Sequence, residues 1–273
     1  MKLKSPSLLY IIWMIIFTII PMILVLFFAF TDNSGNFTFD NILNVGRYSS
    51  IFLRSIGLGG VSTIVCLALG YPLAYIISKI QVKSQSIIIM LIMLPMWMNF
   101  LLRTYAWMTI LENNGLLNKL FSIFGIPPIS LINTSWAVVL GMVYNFLPYM
   151  VLPIYSAISK IDKRIVEAAQ DLGAGRRKVF SKVLLPLSVP GVISGITMVF
   201  VPAVSTFIIS KMLGGGSNIL IGDLIEMQFL GSTYNPHLGS AISFILMILI
   251  LISIGIMNQF DDSDEVAINT NYR

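Results

Sequence analysis

The residues best suited to bind a partner lie in a polar interval, residues 158–186, that separates two long apolar runs. Asp162 can begin a helix there by accepting hydrogen bonds from the first backbone N–H groups, and Gly173 can end that helix. Apolar side chains between them recur at spacings of four and three and form one narrow stripe, namely Ile165, Ala169 and Leu172. The polar positions beside this stripe are Glu167, Gln170 and Asp171. We therefore predict a short helix that offers small apolar side chains and carboxylates to another protein.

The sequence has no set of side chains with the spacing of a catalytic or metal site. His-Glu-x-x-His, Gly-x-Ser-x-Gly and paired aspartates within an apolar run are all absent. The Gly-x-x-x-x-Gly-Lys-Ser/Thr loop that holds nucleotide phosphates is absent too. Cys66, the only cysteine, lies in an apolar run and cannot form an internal disulfide. We therefore predict that the chain is not an enzyme and binds no metal or cofactor.

Composition places the chain in a membrane. Of its 273 residues, 56% are hydrophobic and only 11% are charged, far from the composition of soluble proteins. The apolar residues are gathered in runs long enough for a helix to cross about 30 Å of hydrocarbon. We therefore predict an all-α polytopic membrane bundle, a single domain over residues 1–273 with six transmembrane helices. The predicted spans are residues 8–30, 55–78, 85–111, 135–157, 187–210 and 238–257.

The positions of the basic residues predict the orientation of the chain. Seven of the 17 Lys and Arg residues lie in the polar interval 158–186, and others lie before the first span and between the second and third. Basic residues concentrate in cytoplasmic loops, so we expect both termini and the polar interval in the cytoplasm. This placement beside spans also explains the net charge of +5 without a nucleic-acid partner. Residues 261–273 form an acidic tail, which we expect to be disordered.

The polar interval resembles a known motif. Glu167-Ala168-Ala169 is followed after three residues by Gly173 and after nine more by Val183, with Leu185-Pro186 behind it. This pattern is similar to the cytoplasmic loop of permease subunits of bacterial ABC importers, in which isoleucine is usual at the position of Val183. The resemblance implies a type I, MetI-like permease fold and a coupling helix that contacts a separate ATPase. The residues expected to make this contact are Glu167, Ala168, Ala169, Asp171, Leu172 and Gly173.

The alternative for this interval is a basic amphipathic loop that lies on anionic lipid. That alternative accounts for the charges. It does not account for the Ala-Ala-x-x-x-Gly spacing, which requires small residues and a helix end at fixed positions.

Two further stretches narrow the resemblance. Residues 99–107, with 113–118 after them, and residues 213–229 are similar to spermidine/putrescine permeases, the B-type subunit more than its partner. The resemblance implies transport of polyamines across the bacterial cytoplasmic membrane by alternating access. It also implies a second permease, an ATPase dimer that uses ATP and Mg²⁺, and an extracytoplasmic binding protein. Residues 204–206 are Val-Ser-Thr where such relatives often have Gly-Asp, so no carboxylate role is carried to them. Another small organic cation is the alternative substrate.

Carboxylates and aromatic rings are the side chains that hold a cationic substrate, each ring contributing about 0.5–2 kcal/mol per cation contact. The candidate residues for the substrate pathway are Trp97, Tyr105, Trp107, Glu112, Tyr144, Asn145, Asp223 and Glu226. Trp and Tyr near span ends also form interfacial belts, and an Asn within a span also joins helices, so these structural roles are the alternatives. Arg103 is a poor ligand for a cation, and we expect it to pair with a carboxylate or to contact a binding protein or partner subunit. His237 is expected to be a solvated loop residue.

Two other classes of membrane protein compete with the transporter hypothesis. A membrane-embedded enzyme has a similar number of spans but needs a convergent catalytic set, which the sequence lacks. A stand-alone channel or a structural scaffold needs no such set, but neither accounts for a loop of the coupling type. Stimulation of ATP hydrolysis only in the presence of a nucleotide-binding subunit would distinguish the transporter from both.

Overall fold

The computed structural model describes residues 5–216, 218–231 and 233–270, which are mainly helical. The α-helices of the first half are α1 (Ser5–Met14), α2 (Ile20–Ala29), α3 (Asp40–Val45), α4 (Ser49–Lys79), α5 (Val82–Trp97), α6 (Phe100–Leu111) and α7 (Leu116–Ile123). Those of the second half are α8 (Ser135–Lys160), α9 (Lys163–Asp171), α10 (Arg176–Val179), α11 (Leu185–Ser205), α12 (Ile208–Leu213), α13 (Ile221–Leu230) and α14 (Pro236–Thr270). Two π-helical segments, Ile15–Ile19 and Phe180–Leu184, join α1 to α2 and α10 to α11.

Five segments of the described chain are long and apolar enough to cross a membrane by themselves. They are Tyr10–Ala29, Asp40–Lys79, Ser135–Lys160, Arg176–Ser205 and Pro236–Met257. A sixth crossing is formed if Val82–Trp97 and Phe100–Ile123, which meet at an angle of 89°, are counted as one broken span. The fold is therefore an all-α membrane bundle with five spans, or six with the bent pair.

The predicted third span, residues 85–111, is not one straight helix. α5 ends at Trp97, Met98 has an extended backbone, and Asn99 begins α6. The Asn99 side-chain oxygen accepts hydrogen bonds from the backbone N–H groups of Leu101 (2.9 Å) and Leu102 (3.4 Å). These N–H groups have no acceptor within α6, so the side chain stabilises a new helix start at this point. The apolar run is continuous across the cap, and hydrophobicity alone therefore does not locate the break.

The centre of the bundle is formed by α4, α8 and α11, which approach one another closely at glycines. A Cβ atom added to Gly59 would lie 2.7 Å from Val204 Cγ2, and one added to Gly70 would lie 2.9 Å from Met150 Cγ. The second span therefore packs against other helices through small residues, as its glycine content predicts. The other two glycines of its apolar run have no neighbour within 4 Å of such an atom.

A second apolar cluster joins the first span to α3 and α14. A histidine that was expected in solvent contacts the first span from the start of α14. His237 lies in the first turn of α14, where its Nδ1 atom is 3.2 Å from the Phe28 carbonyl oxygen. Its ring meets the Phe28 ring edge to face, with 5.3 Å between the centroids. The expectation of a solvated loop residue is wrong, because the helix begins at Pro236 and turns the imidazole toward α2.

The acidic segment 261–273 also differs from expectation in its described part. α14 continues to Thr270 instead of ending in a disordered tail, since no glycine or proline interrupts the chain after Met257. Residues 271–273 lie outside the described residues.

Candidate functional site

The coupling-type loop has the helix ends that its sequence predicts. The Asp162 carboxylate accepts a hydrogen bond from the Arg164 backbone N–H at 2.9 Å and begins α9. After α9, Gly173 adopts a left-handed backbone with φ of +81°. The Gly173 N–H donates to the Gln170 carbonyl (2.8 Å) and the Ala174 N–H to the Ala169 carbonyl (3.0 Å). This pair of bonds is a Schellman cap, which normally requires glycine at the left-handed position.

α9 exposes the side chains that were expected to meet the ATPase. Glu167, Ala168 and Asp171 are exposed, whereas Ala169 is half-buried. Leu172 follows at the helix end and is 89% exposed. A leucine so exposed gains nothing from burial within this chain, and covering it against a partner would contribute about 1.5–3 kcal/mol. The loop thus presents an apolar knob beside carboxylates on an accessible surface.

A cleft of about 610 Å³ lies beside α9, toward the turn that joins α4 to α5. Its lining includes Lys79, Gln85, Ile158, Val166, Glu167 and Gln170. Charged and amide groups of α9 therefore border a space that a side chain of another protein could enter.

The aromatic candidates for the substrate pathway do not converge. Trp107 and Tyr144 form an edge-to-face pair, with 5.3 Å between the ring centroids, and join α6 to α8. Trp97 is 73% exposed at the end of α5, and Tyr105 is exposed on the outer side of α6. Glu112 is exposed just after α6. Among these candidates, the described structure brings only Trp107 and Tyr144 into ring contact.

Asn145 is buried in α8 and does not join two helices through its amide nitrogen. Its Nδ2 atom donates to the Gly141 carbonyl of the same helix at 2.8 Å. Its Oδ1 atom has no hydrogen-bond donor among the described residues. A buried amide oxygen without a donor is rare because its desolvation costs about 1–3 kcal/mol. Asn145 thus keeps an unused acceptor in the bundle core.

Asp223 and Glu226 lie three residues apart on α13, but each contacts a group of this chain. The buried Asp223 carboxylate caps α13 by accepting from the Leu220 backbone N–H at 2.8 Å. Burial raises the pKa of the Asp223 carboxyl above its usual range. Glu226 forms an ion pair with Lys211 of α12, with its two oxygens 2.7 and 2.9 Å from Nζ. Both carboxylates therefore already have structural contacts within this chain. A contact with substrate would be made in addition to them.

Arg103 has no carboxylate partner within the described part of the chain. The residue is only 8% exposed, and its Nε and Nη1 atoms have no hydrogen-bond acceptor there. Its guanidinium carbon lies 5.8 Å from the centre of the Phe100 ring. The described residues thus provide no ion pair for Arg103. Contact with a binding protein or a partner subunit is the expectation that remains.

We expect Arg103→Met to leave the purified chain as stable as the parent, or more stable by up to about 4 kcal/mol, because it replaces an unpaired buried charge by an apolar side chain of similar length. Thermal unfolding in detergent measures this effect. Arg103→Lys is the control, since it keeps the charge and loses the planar fork. A large loss of stability in Arg103→Met but not in Arg103→Lys would contradict the unpaired state.

A larger cavity, of about 910 Å³, lies between α8 and α11 and was not predicted. Its lining includes Tyr149, Pro153, Ser156, Lys160, Gly191 and Ser194. The usable signal was the recurrence of small and polar residues within two apolar spans, which marks a face that is not lipid-exposed. Tyr71 was missed as well, although its hydroxyl lies 2.8 Å from Ser188 Oγ and links α4 to α11.

Comparison with known proteins places this geometry in a family. The model of the binding-protein-dependent transport system inner membrane components matches residues 4–262. The spermidine/putrescine transport system permease protein PotB of Haemophilus influenzae is 40% identical over 252 residues, which cover 89% of this chain and 88% of that protein. PotB of Escherichia coli is 35% identical over 247 residues, covering 87% and 90% respectively.

Solved structures give the same fold at low sequence identity. A bacterial ABC transporter that imports the acidic polysaccharide alginate contains a chain with a TM-score of 0.81 and 18% identity, covering 95% of this chain and 94% of that one. The inward-facing methionine transporter MetNI has a chain with a TM-score of 0.59 and 16% identity, covering 79% and 95%. The chain therefore belongs to the family of binding-protein-dependent transport system inner membrane components and has the fold of an ABC importer permease.

Proposed function

We propose that this chain is a permease subunit of an ATP-driven importer that carries polyamines across the cytoplasmic membrane. The observation that carries the proposal is the 40% identity with the Haemophilus influenzae spermidine/putrescine permease over nearly the whole of both chains. The alginate importer shares the fold at only 18% identity, so its substrate has no bearing on this one. A permease for another small organic cation is the second candidate, since the pathway aromatics suit ammonium groups of several kinds.

The proposed assembly consists of this chain, a second permease, two ATPase subunits and an extracytoplasmic binding protein. ATP and Mg²⁺ bind to the ATPase subunits, and this chain has no catalytic role. Both termini and the loop 158–186 lie in the cytoplasm, as the distribution of basic residues favours. The exposed Leu172 and the carboxylates of α9 support docking of this loop into a cleft of the ATPase.

In the proposed mechanism, α9 transmits the movement of the ATPase to the spans. α8 ends at Lys160 and α9 begins at Lys163, so the connection is too short to absorb a displacement. The other end of the loop leads through α10 into α11, which packs against α8 where Gly191 meets Pro153. Packed helices of this kind move as units, so closure of the ATPase dimer shifts α8 and α11 together. The translocation pathway then opens toward the binding protein, and ATP hydrolysis returns the transporter to its starting state.

The test of the substrate class is competition in the reconstituted complex. Labelled spermidine uptake should be inhibited by unlabelled spermidine and putrescine, and not by neutral solutes of similar length. Uptake that no polyamine inhibits, but that another organic cation does, would replace this substrate by the second candidate.

Glu226 is proposed to attract the cation at the external surface, in addition to its ion pair with Lys211. We expect Glu226→Gln to weaken uptake at low substrate concentration without reducing assembly or basal ATP hydrolysis. Lys211→Gln is the matched control, because it removes the same exposed ion pair, worth about 0–1 kcal/mol, and keeps the carboxylate. Equal loss of uptake in both variants would assign Glu226 a structural role only.

A further inference from the structure

The densest positive charge of the coupling loop follows α9 and is separate from it. Arg176, Arg177, Lys178 and Lys182 are all exposed, and we call these four residues the basic face. None of them forms an ion pair within the described part of the chain. The acidic residues of the loop precede Gly173, on α9 or at its start. The loop thus has an acidic and apolar half and a basic half.

The basic face continues directly into a membrane span. Arg176–Ser205 is one apolar helical run that contains α10, the π-helical segment and α11. Val179 and Leu184 are buried against the chain, whereas Leu185 is 43% exposed. Lys178, Lys182 and Leu185 are all exposed along this run, and the π-helical segment lies between the first and the last of them. The exposed side therefore changes from basic to apolar within two turns.

With Leu185 taken as the first residue in hydrocarbon, the rise of the helix gives the depth of the basic face. At no more than about 1.5 Å of rise per residue, Lys182 lies within about 4.5 Å and Arg176 within about 14 Å of Leu185 along the helix axis. The headgroup layer of one leaflet is about 5–8 Å thick. The long Lys and Arg side chains of the basic face can reach from the helix into this headgroup layer. Their charged ends then lie at or just outside the lipid phosphates.

We propose that the basic face binds the headgroups of anionic phospholipids, so that the coupling loop has two partners, the ATPase on α9 and the membrane surface on the basic face. Charge complementarity and the direct continuation of the basic face into a membrane span favour lipid over an acidic protein surface. Binding keeps the start of α11 at one depth in the membrane while α8 and α11 shift together, and coupling then depends on anionic lipid. Transport as a readout rests on the proposed function, but lipid binding does not.

The test uses the complex of both permeases and the ATPase, reconstituted in phosphatidylcholine vesicles with an increasing share of phosphatidylglycerol. Uptake by the parent should rise with the anionic lipid, and added salt should reverse the rise because it screens surface charge. Lys178→Gln/Lys182→Gln should need far more phosphatidylglycerol, since each charge contributes about fivefold to binding an anionic surface. Arg47→Gln/Lys119→Gln removes two exposed charges from other connecting segments and should follow the parent.

A second readout does not depend on transport. Mass spectrometry of the complex purified in mild detergent should find phosphatidylglycerol retained by the parent and the control, and depleted in Lys178→Gln/Lys182→Gln. Equal retention and an unshifted lipid dependence in that variant would overturn the proposal. Loss of the ATPase subunit from the variant in detergent would also overturn it, because the basic face would then bind the ATPase. If no complex transports polyamine but the lipid depletion is found, the proposed substrate fails and the lipid site stands.

Discussion

Gly173→Val is expected to leave the permease in the membrane but to uncouple ATP hydrolysis from polyamine uptake. Gly173 has φ of +81°, a conformation that costs a residue with a side chain about 1–2 kcal/mol, and valine is branched at Cβ. If the backbone at this position leaves the strained conformation, the Schellman hydrogen bonds to Gln170 and Ala169 break. The side chain of Leu172 then points in another direction. A penalty of this size lowers the population of the docked loop about 5- to 30-fold. Co-purification of the ATPase and uptake in vesicles measure the effect.

The matched control is Gly175→Val, two residues later in the same loop. Gly175 has an ordinary φ of −65°, and a Cβ atom there meets nothing within 4 Å. We expect this variant to bind the ATPase and transport like the parent. If Gly173→Val does so too, the conformation of the loop end does not determine coupling.

Gly191→Val is expected to reduce the amount of folded permease. A Cβ atom at Gly191 would lie 2.5 Å from Ala157 Cβ and 2.7 Å from the Pro153 carbonyl oxygen, neither of which belongs to a flexible side chain. α8 and α11 must then separate, and overpacking of this kind costs about 1–3 kcal/mol or more. Thermal unfolding in detergent and the amount of protein in the membrane measure the loss.

Gly57→Val provides the comparison for this variant, because the same change on α4 meets nothing within 4 Å. It should unfold at the temperature of the parent. An unchanged unfolding temperature in Gly191→Val would mean that the contact of α8 and α11 can relax without cost, and the two helices would not move as a unit.

The helical membrane class was predictable from composition, because uncharged apolar runs of span length are typical of transmembrane helices and rare in soluble proteins. The ends of α9 were predictable too, since Asp162 and Gly173 act through bonds to residues close in sequence. The break at Asn99 was missed, because its cap stands inside a continuous apolar run. The signal in the sequence for this break was a polar residue followed by a segment long enough to form a new helix.

The substrate residues were less predictable because their surroundings are set by distant parts of the chain. The spacing of Asp223 and Glu226 places both on one helix face, but Lys211, fifteen residues earlier, pairs with Glu226 alone. Likewise, the lack of an acceptor around buried Arg103 follows from the packing of α6, which no local pattern encodes. Where a site is completed by other chains, the partners of its residues are not contained in this sequence.

ATP-driven uptake by the reconstituted transporter tests the central claim most directly. Vesicles containing both permeases and the ATPase, with binding protein outside and ATP inside, should accumulate labelled spermidine above its external concentration. Accumulation should require hydrolysable ATP and the binding protein, and Gly173→Val should hydrolyse ATP with little uptake. Equilibration without ATP would identify a channel, and an assembled complex that hydrolyses ATP but accumulates no polyamine would contradict the account.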